Sequence, residues 1–526
     1  MSAVLSFPTT QDEIISCNPA TGEEIGRVPN VSAERVNEAV EKSRRAFVEW
    51  RETSFAERAR FVMKAREIIL AELDEIALLI SNESGKPIAE ALSAEIAPVL
   101  DLMQYFARNT RKILKPEKID IGQLKFLGRS SKIIYQPLGV VGIISPWNFP
   151  FAIPLGEVAM ALMAGNAVVL KPSELTPLVG LKIGEIFEKA NLPENVLQVV
   201  TGDGRTGAAI VETGVGKIMF TGSVETGRKI AESAAKTLTP VVLELGGKDP
   251  MIVFSDADLE AASSAAVWGA FTNSGQACSS VERLYVEESV AEKFTNLVVE
   301  KTKKLTQNFG RDAATDIAAM ISENQLKIVE NHVADFQKSG ARILTGGKRN
   351  GKFDGTFFEP TVISDAKNSM RGMREETFGP TLPIATFRTE KEAVELANDT
   401  DFGLTASVWT KDLRRGTRVA ERILAGTITV NEVLYTHGIA QTPWGGFKQS
   451  GYGRTHGKEG LMELVAPQHI HVNRYTFLPN VWWFGYSENG VETFRGFARR
   501  FAAGSLIQTA RLAPQLFKRI REMRRK

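Results

Sequence analysis

The chain has 526 residues, 43% of them hydrophobic and 24% charged, with a formal net charge of +2. That is enough chain for about three domains with cores of their own, in the proportions of an ordinary soluble globular protein. Two cysteines, Cys17 and Cys278, and five histidines without an HExxH arrangement exclude a disulfide scaffold and a thiolate zinc site, and they point to a reducing compartment. The start, Met1 to Thr10, has neither the charged beginning nor the apolar core of a signal peptide, and no run of about 18 apolar residues follows, so a cytoplasmic location is expected.

In chain order, Val31–Trp50, Phe55–Glu83 and Pro87–Lys112 are rich in Ala, Glu, Arg, Leu and Ile with apolar residues three and four apart, which predicts three helices. Ser84-Gly85-Lys86-Pro87 stops the second and starts the third. Lys118 to Pro137 changes character and predicts a hairpin. From Gly139 the pattern becomes strand, loop, helix, repeated: strands at 140–144, 167–170, 196–200 and 217–220, helices at 155–164, 178–190 and 207–212, and one running to Ala235. Short apolar strands alternating with helices predict a doubly wound parallel sheet, an α/β fold, with its ligand at the strand exits.

Several of these exits carry chemistry. Gly202-Asp-Gly204-Arg-Thr-Gly207 matches GxGxxG between a strand and a helix, but the acid that should follow about 20 residues later is missing, so it is either a phosphate contact or a tight turn. Gly222-Ser-Val-Glu-Thr-Gly227 is the stronger phosphate candidate, with the Ser223 hydroxyl at a helix N-terminus that favours anions. In Lys171-Pro-Ser-Glu174 the acid would accept both hydroxyls of an adenosine ribose and repel a 2′-phosphate; the alternative is a solvated acid at a helix start. Glu244 ends the apolar strand that begins at Val241. A carboxylate there is costly to bury unless it is used, which makes it a candidate general base or else a partnered structural acid. Cys278, in Thr272-Asn-Ser-Gly-Gln-Ala-Cys278-Ser-Ser280 with small neighbours, is a candidate nucleophile or an inert buried thiol.

Ser145-Pro-Trp-Asn-Phe-Pro150, Lys171–Glu174, Phe220-Thr-Gly-Ser223, Leu243-Glu-Leu-Gly-Gly-Lys248, Gly275-Gln-Ala-Cys278, Glu376-Thr-Phe-Gly-Pro380 and Pro443-Trp-Gly-Gly-Phe-Lys-Gln-Ser-Gly451 occur in the order and spacing of the NAD(P)-dependent aldehyde dehydrogenases. From about Cys17 to Asn473 the chain resembles that superfamily. The resemblance implies that Cys278 attacks an aldehyde to give a thiohemiacetal and then a thioester, that Asn148 and the Cys278 N–H hold the oxyanion, and that Glu244 activates the water that releases the acid. It implies NAD, with NADP as the variant, bound by Lys171 and Glu174 at the adenosine ribose, by Gly222 and Ser223 at the pyrophosphate and by Glu376 and Phe378 at the nicotinamide end. Ser145, Trp147 and Leu245 stand in the same motifs, and Gly204 of the GxGxxG turn completes the cofactor set.

The same resemblance implies a cofactor domain at 1–114 and 138–246 and a second α/β, catalytic domain at 247–446. It also implies a small β oligomerisation element at 115–137 and 447–475, pairing chains into a homodimer or a dimer of dimers. Relatives that oxidise semialdehydes often carry a base where Glu157 stands, so a carboxylate-bearing aldehyde should be repelled and an apolar one of medium or long chain, or an aromatic one, admitted. Phe149, Ile153, Gly156 and Leu434 are the expected tunnel positions. The rivals are a CoA-acylating or semialdehyde dehydrogenase of the same fold, and a cysteine thioesterase or hydrolase.

Residues 476–526 extend beyond that resemblance. From Arg495 to Lys526 there are ten Lys or Arg and one acid, Glu522, a net +9 against −7 for the rest of the chain. Trp482, Trp483, Phe484 and Tyr486 cluster. Phe494, Phe497 and Phe501, and after Gly504-Ser505 and Pro514 the set Leu516, Phe517, Ile520 and Met523, recur at helical spacing among arginines. Two basic amphipathic helices lying on the inner membrane face are the expectation, and the acidic body makes nucleic acid the less fitting partner.

Overall fold

The structure, a computed structural model, describes residues 12–503 and 506–525. The start Met1 to Thr10, the Gly504-Ser505 break and the side chain of Phe501 lie outside the described residues. The chain divides into two compact units, Met1–Ile113 with Gln136–Ala466, and Leu114–Tyr135 with Pro467–Lys526.

The first unit contains two large sheets. One has six strands in the order Gly451–Tyr452, Val241–Glu244, Lys217–Thr221, Val140–Ile144, Ala167–Lys171 and Leu197–Val199, antiparallel only at the first. Val140–Ile144 and Ala167–Lys171 are buried along their whole length, which is why they read as unbroken apolar runs. Successive strands are laid to one side of Val140–Ile144 and then to the other, so the order switches between that strand and Lys217–Thr221. The loops leaving their C-terminal ends, from Ser145 and from Gly222, therefore open the crevice in which such sheets bind ligands. The second sheet has seven strands, in the order Arg342–Thr345, Thr361–Ser364, Thr381–Phe387, Val281–Glu287, Asp249–Val253, Thr405–Trp409 and Thr427–Val430, with only the first antiparallel.

The N-terminal helices form as their spacing predicts, with two refinements. Phe55–Ala71 starts on a Ser54–Glu57 capping box, but the stretch breaks at Glu72 and continues as Leu73–Ser84. Gly85, at φ +80°, ends it in the left-handed conformation that glycine tolerates. The third helix carries a π-helical turn at Ala91–Ile96 before it continues as Ala97–Ile113. A two-stranded hairpin, Glu13–Cys17 with Glu24–Pro29, precedes these helices and lacked a clear sequence pattern.

Residues 447–466 depart from the expected boundary. Gly451–Tyr452 pairs with Leu243 and Glu244, so this segment belongs with the first unit and supports the end of the Glu244 strand. The second unit contains most of a three-stranded sheet in which Arg129–Pro137 lies between Glu117–Ile119 and Val465–Asn473. It also contains the helices Glu488–Ala503 and Leu506–Arg525, which pack on each other. Val481, Phe497 and Leu512 form a small core there with Phe494, Leu516 and Ile520, and Trp482 stacks on Phe494 at 5.6 Å. The amphipathic faces that the spacing offers to a lipid surface are thus turned towards each other, and Pro514 lies inside the second helix rather than before it. Among the described residues no helix is long and apolar enough to cross a membrane.

Candidate active site

Helix Leu259–Phe271 ends in a turn where Asn273, Ser274 and Gly275 all have positive φ, at 51°, 56° and 74°. Asparagine and glycine tolerate that region, serine less so, and strain of this kind persists only where its surroundings fix it. They do: a Cβ at Gly275 would meet the Gly379 carbonyl oxygen at 2.2 Å, and Asn273 N–H donates to Glu90. The turn delivers Cys278 to the C-terminal side of the first sheet, just before strand Val281–Glu287.

Cys278 lines a cavity of about 260 Å³ together with Trp147, Asn148, Gly222, Ser223, Glu244, Leu245, Glu376 and Phe378. Nine of the predicted catalytic and cofactor positions therefore share one space. Ser223 caps helix Val224–Ala235 by accepting from Thr226 N–H, and the rings of Trp147 and Phe378 meet edge to face at 5.3 Å. Glu376 accepts the Gly247 N–H at 3.0 Å, and a side chain at Gly246 would collide with its carboxylate at 2.3 Å. Ser145 and Lys171 meet where two neighbouring strands end, Ser145 N–H donating to the Lys171 carbonyl, and Lys171 Nζ reaches the half-exposed Glu174 at 3.3 Å. Gly204 is placed apart. It opens helix Gly204–Glu212, which follows the edge strand Leu197–Val199 in the chain and packs on strands Val140–Ile144 and Ala167–Lys171, and the Asp203 carboxylate already caps that N-terminus, where a phosphate would be repelled.

The electrostatics of the site are set by burial. Both carboxylate oxygens of Glu244 are buried without a partner, and burial, reinforced by Glu157, holds its pKa well above the carboxylate range against the pull of Arg454. Glu157 is buried with one orphaned oxygen, and burial pushes it up to about 8, so it is largely neutral at pH 7. Repulsion by a Glu157 charge therefore does not operate in this state, and an anionic aldehyde would instead face the cost of burying its own carboxylate. Glu376 is raised to about 8 by burial and the nearby Glu282. The Cys278 thiol is raised by burial first and then by Asp249, Glu376 and Glu244, so it rests as the thiol.

Sequence reasoning did not find what holds Asn148. Lys86 Nζ, fully buried, donates to the Asn148 carbonyl at 2.7 Å, pairs with Glu95 and lies over the Phe149 ring at 4.3 Å. Glu95 also accepts the Phe151 and Ala152 N–H groups, and Asn273 Nδ2 donates to the same Asn148 carbonyl at 3.0 Å. The Asn148 amide donates one hydrogen to the Gln276 carbonyl at 3.2 Å and has a second to give. Lys86 and Glu95 stand among other polar residues, Glu83, Glu90 and Ser93, so nothing local singled the pair out. Of the tunnel positions, Ile153 is buried, Gly156 faces Leu102 and Leu434 adopts φ +70° beside the second core. Among the described residues no group of three or more His, Cys, Asp or Glu is placed to hold a metal ion. The histidines engage elsewhere, His332 with Thr377, His456 with Thr455 and His437 against Trp444.

A doubly wound sheet with a cysteine and an unpartnered glutamate at its switch point defines a class of oxidoreductase site, and sequence comparison places this chain within it. Residues 7–470 match the aldehyde dehydrogenase family, and the chain belongs to that family. It is 40% identical over 512 residues to a 4,4'-diapolycopene aldehyde oxidase of Methylomonas sp, covering 97% of this chain and 95% of that one. It is 39% identical to the betaine aldehyde dehydrogenase of Bacillus subtilis (strain 168), covering 89% and 95%. The crystal structure of the Staphylococcus aureus betaine aldehyde dehydrogenase in complex with NAD+ superposes with a TM-score of 0.86 at 35% identity, covering 90% of this chain and 94% of that one.

Proposed function

We propose that this chain oxidises an apolar aldehyde to the carboxylic acid with NAD, using Cys278 as nucleophile and Glu244 as general base. The observation that carries the reading is the single cavity shared by Cys278, Asn148, Glu244 and the cofactor positions. Cys278 adds to the aldehyde carbonyl, the S–H bond breaking as the carbon–sulfur bond forms and the proton passing to solvent water, which accounts for the one proton the oxidation releases. The free N–H of Asn148 and the Cys278 N–H stabilise the oxyanion, which exists only after attack. NAD, when bound, supplies the hydride acceptor that turns the thiohemiacetal into a thioester. Glu244, once ionised, takes a proton from water as that water attacks the thioester, and the acid leaves with regeneration of the thiol.

The residues present fit the cofactor. Gly222 and Ser223 offer a helix N-terminus to the pyrophosphate, Glu376 a buried carboxyl to the nicotinamide ribose, and Trp147, Leu245 and Phe378 an apolar wall. Ser145 sets the loop at the switch point, Lys171 and Glu174 take the adenosine ribose, and the proposed set omits Gly204. The presence of Glu244 favours release of a free acid over acyl transfer to CoA, and among the described residues no histidine lines the Cys278 cavity, where a hydrolase would need one.

For the substrate, the alignment with the diapolycopene aldehyde oxidase takes in most of the C-terminal extension, whereas that with the betaine aldehyde dehydrogenase covers 89% of the chain. An extended hydrocarbon aldehyde agrees with the uncharged state of Glu157 and with an extension rich in aromatic and basic residues. We place the enzyme in the cytoplasm, peripheral to the membrane in which such aldehydes partition. The nine-residue edge strand Val465–Asn473, largely exposed, is a surface for pairing with a second copy in a dimer or a dimer of dimers. The test is NADH formation across a series of aldehydes with the acid identified as product. A kcat/KM that rises with chain length and is low for betaine aldehyde and succinate semialdehyde is expected, and the reverse order would overturn the substrate reading.

A further inference from the structure

In the second unit, the loop between Phe477 and Tyr486 shows an arrangement that packing alone does not explain. Arg519, in helix Leu506–Arg525, is fully buried and yet makes no close ion pair among the described residues, Glu522 one turn on feeling its charge without a direct contact. Its guanidinium donates instead to the backbone carbonyls of Trp483, at 2.9 Å, and Gly485. Burying an arginine is costly unless its donors are used, and here two of them hold a loop backbone. Trp482 lies against Phe494 and Phe497 with part of its ring in solvent, and Tyr486 meets Phe494 edge to face at 6.3 Å. Large parts of the loop's rings nevertheless stay in water: Trp483 is 60% exposed, Phe484 86% and Tyr486 59%. A loop tied down this firmly, with three large apolar side chains left in water, is built to present them.

The neighbouring helices give the charge around these rings. Among the described side chains of Leu506–Arg525, the outward positions are Pro514, Phe517, Lys518, Arg521 and Arg524, a face on which exposed Phe517 lies among cations. In Glu488–Ala503 the outward positions include Val491, Arg495 and Arg499. Arg495 pairs with Glu492, while Arg499, Arg521 and Arg524 form no ion pair among the described residues. Aromatic rings favour the headgroup level of a bilayer, and unpaired cations favour an anionic leaflet. The two are presented together here.

We propose that the Arg519-clamped loop, Trp483, Phe484 and Tyr486, inserts at the surface of an anionic phospholipid bilayer, with Lys518, Arg521, Arg524 and Arg499 against the headgroups. This rests on the reading of the extension as a membrane contact and changes its geometry, because the amphipathic helix faces are spent on each other and the aromatic loop makes the contact. Co-sedimentation of the full chain with phosphatidylcholine vesicles, with and without phosphatidylglycerol, tests it. The full chain should pellet with the anionic vesicles, less so at high salt. Trp483→Ser with Phe484→Ser, and separately Arg521→Ser with Arg524→Ser, should each weaken partitioning roughly tenfold or more. NADH formation from a water-soluble aldehyde, unchanged in both variants, shows that the fold is intact, and Phe484→Ser alone gives a milder second reading. If the full chain pellets and the variants pellet equally, this inference fails while the membrane reading stands. If the full chain stays in solution with both vesicles, the membrane reading fails with it. Self-association through the same loop would appear as a larger species without vesicles that the loop variants abolish, and would also overturn the proposal.

Discussion

Lys86 Nζ, buried in the N-terminal helical region, donates to the backbone carbonyl of Asn148, 62 residues later, and fixes the loop that carries the proposed oxyanion donor. The same ammonium pairs with Glu95 from a π-helical turn, so a helix defect outside the sheet sets the amide proposed to act in catalysis.

Lys86→Met should therefore lower kcat, by tenfold or more, with a smaller change in KM, because Asn148 acts on charge that develops after binding. It also leaves Glu95 buried and unpaired, at a cost of about 3 kcal/mol or more. The double variant Lys86→Met with Glu95→Gln should recover much of the stability without the activity. Steady-state kinetics beside urea denaturation separate the two effects, and equal recovery of both would count against a positioning role.

Cys278→Ala should abolish NADH formation and any esterase activity. Glu244→Gln should still give one burst of NADH per site and then stall at the thioester, since the two residues serve successive steps. Rapid-mixing absorbance and intact-mass detection of the acyl adduct are the measurements. A fully active, burst-free Glu244→Gln enzyme would remove the base assignment.

Buried carboxyls make the cofactor-free protein less stable as pH rises. Glu157 is raised from its ordinary 4.5 to about 8, so between those values the unfolded chain has lost the proton that the folded chain keeps. Its contribution is fully present below about 4.5 and is lost as pH climbs towards about 8, at roughly 1.4 kcal/mol per pH unit. Glu157→Gln should flatten the fall of Tm over that window. It should also move the acid limb of thioester hydrolysis to lower pH, by removing the charge that Glu157 gains as it ionises near pH 8 and that then opposes ionisation of Glu244. An unchanged Tm profile and an unchanged rate profile would refute the coupling.

Glu174 pairs with Lys171 at 3.3 Å, and in the proposed cofactor site its negative charge would oppose a 2′-phosphate. Glu174→Gln should raise kcat/KM for NADP relative to NAD by about tenfold. A wild-type enzyme that already prefers NADP would contradict the assignment.

Much of the site was legible in the sequence because its constraints are local. Glycines and small residues around Cys278, Glu244 at the end of an apolar strand and Ser223 at a helix start are each dictated by neighbours within a few positions. The alternation of short apolar runs with helices likewise determined the first sheet and its switch point, since both faces of a parallel strand are covered. Tertiary structure alone decided the rest. It set Gly204 apart from the cavity, because strand order is not written in any one strand. It brought Lys86 to Asn148 and Gly451 to Glu244 across large separations. It made Glu157 neutral, because burial depends on everything packed around a carboxyl. In the extension, spacing determined two amphipathic helices, but only their packing decided that the apolar faces meet each other and that a buried arginine leaves the aromatic loop outside.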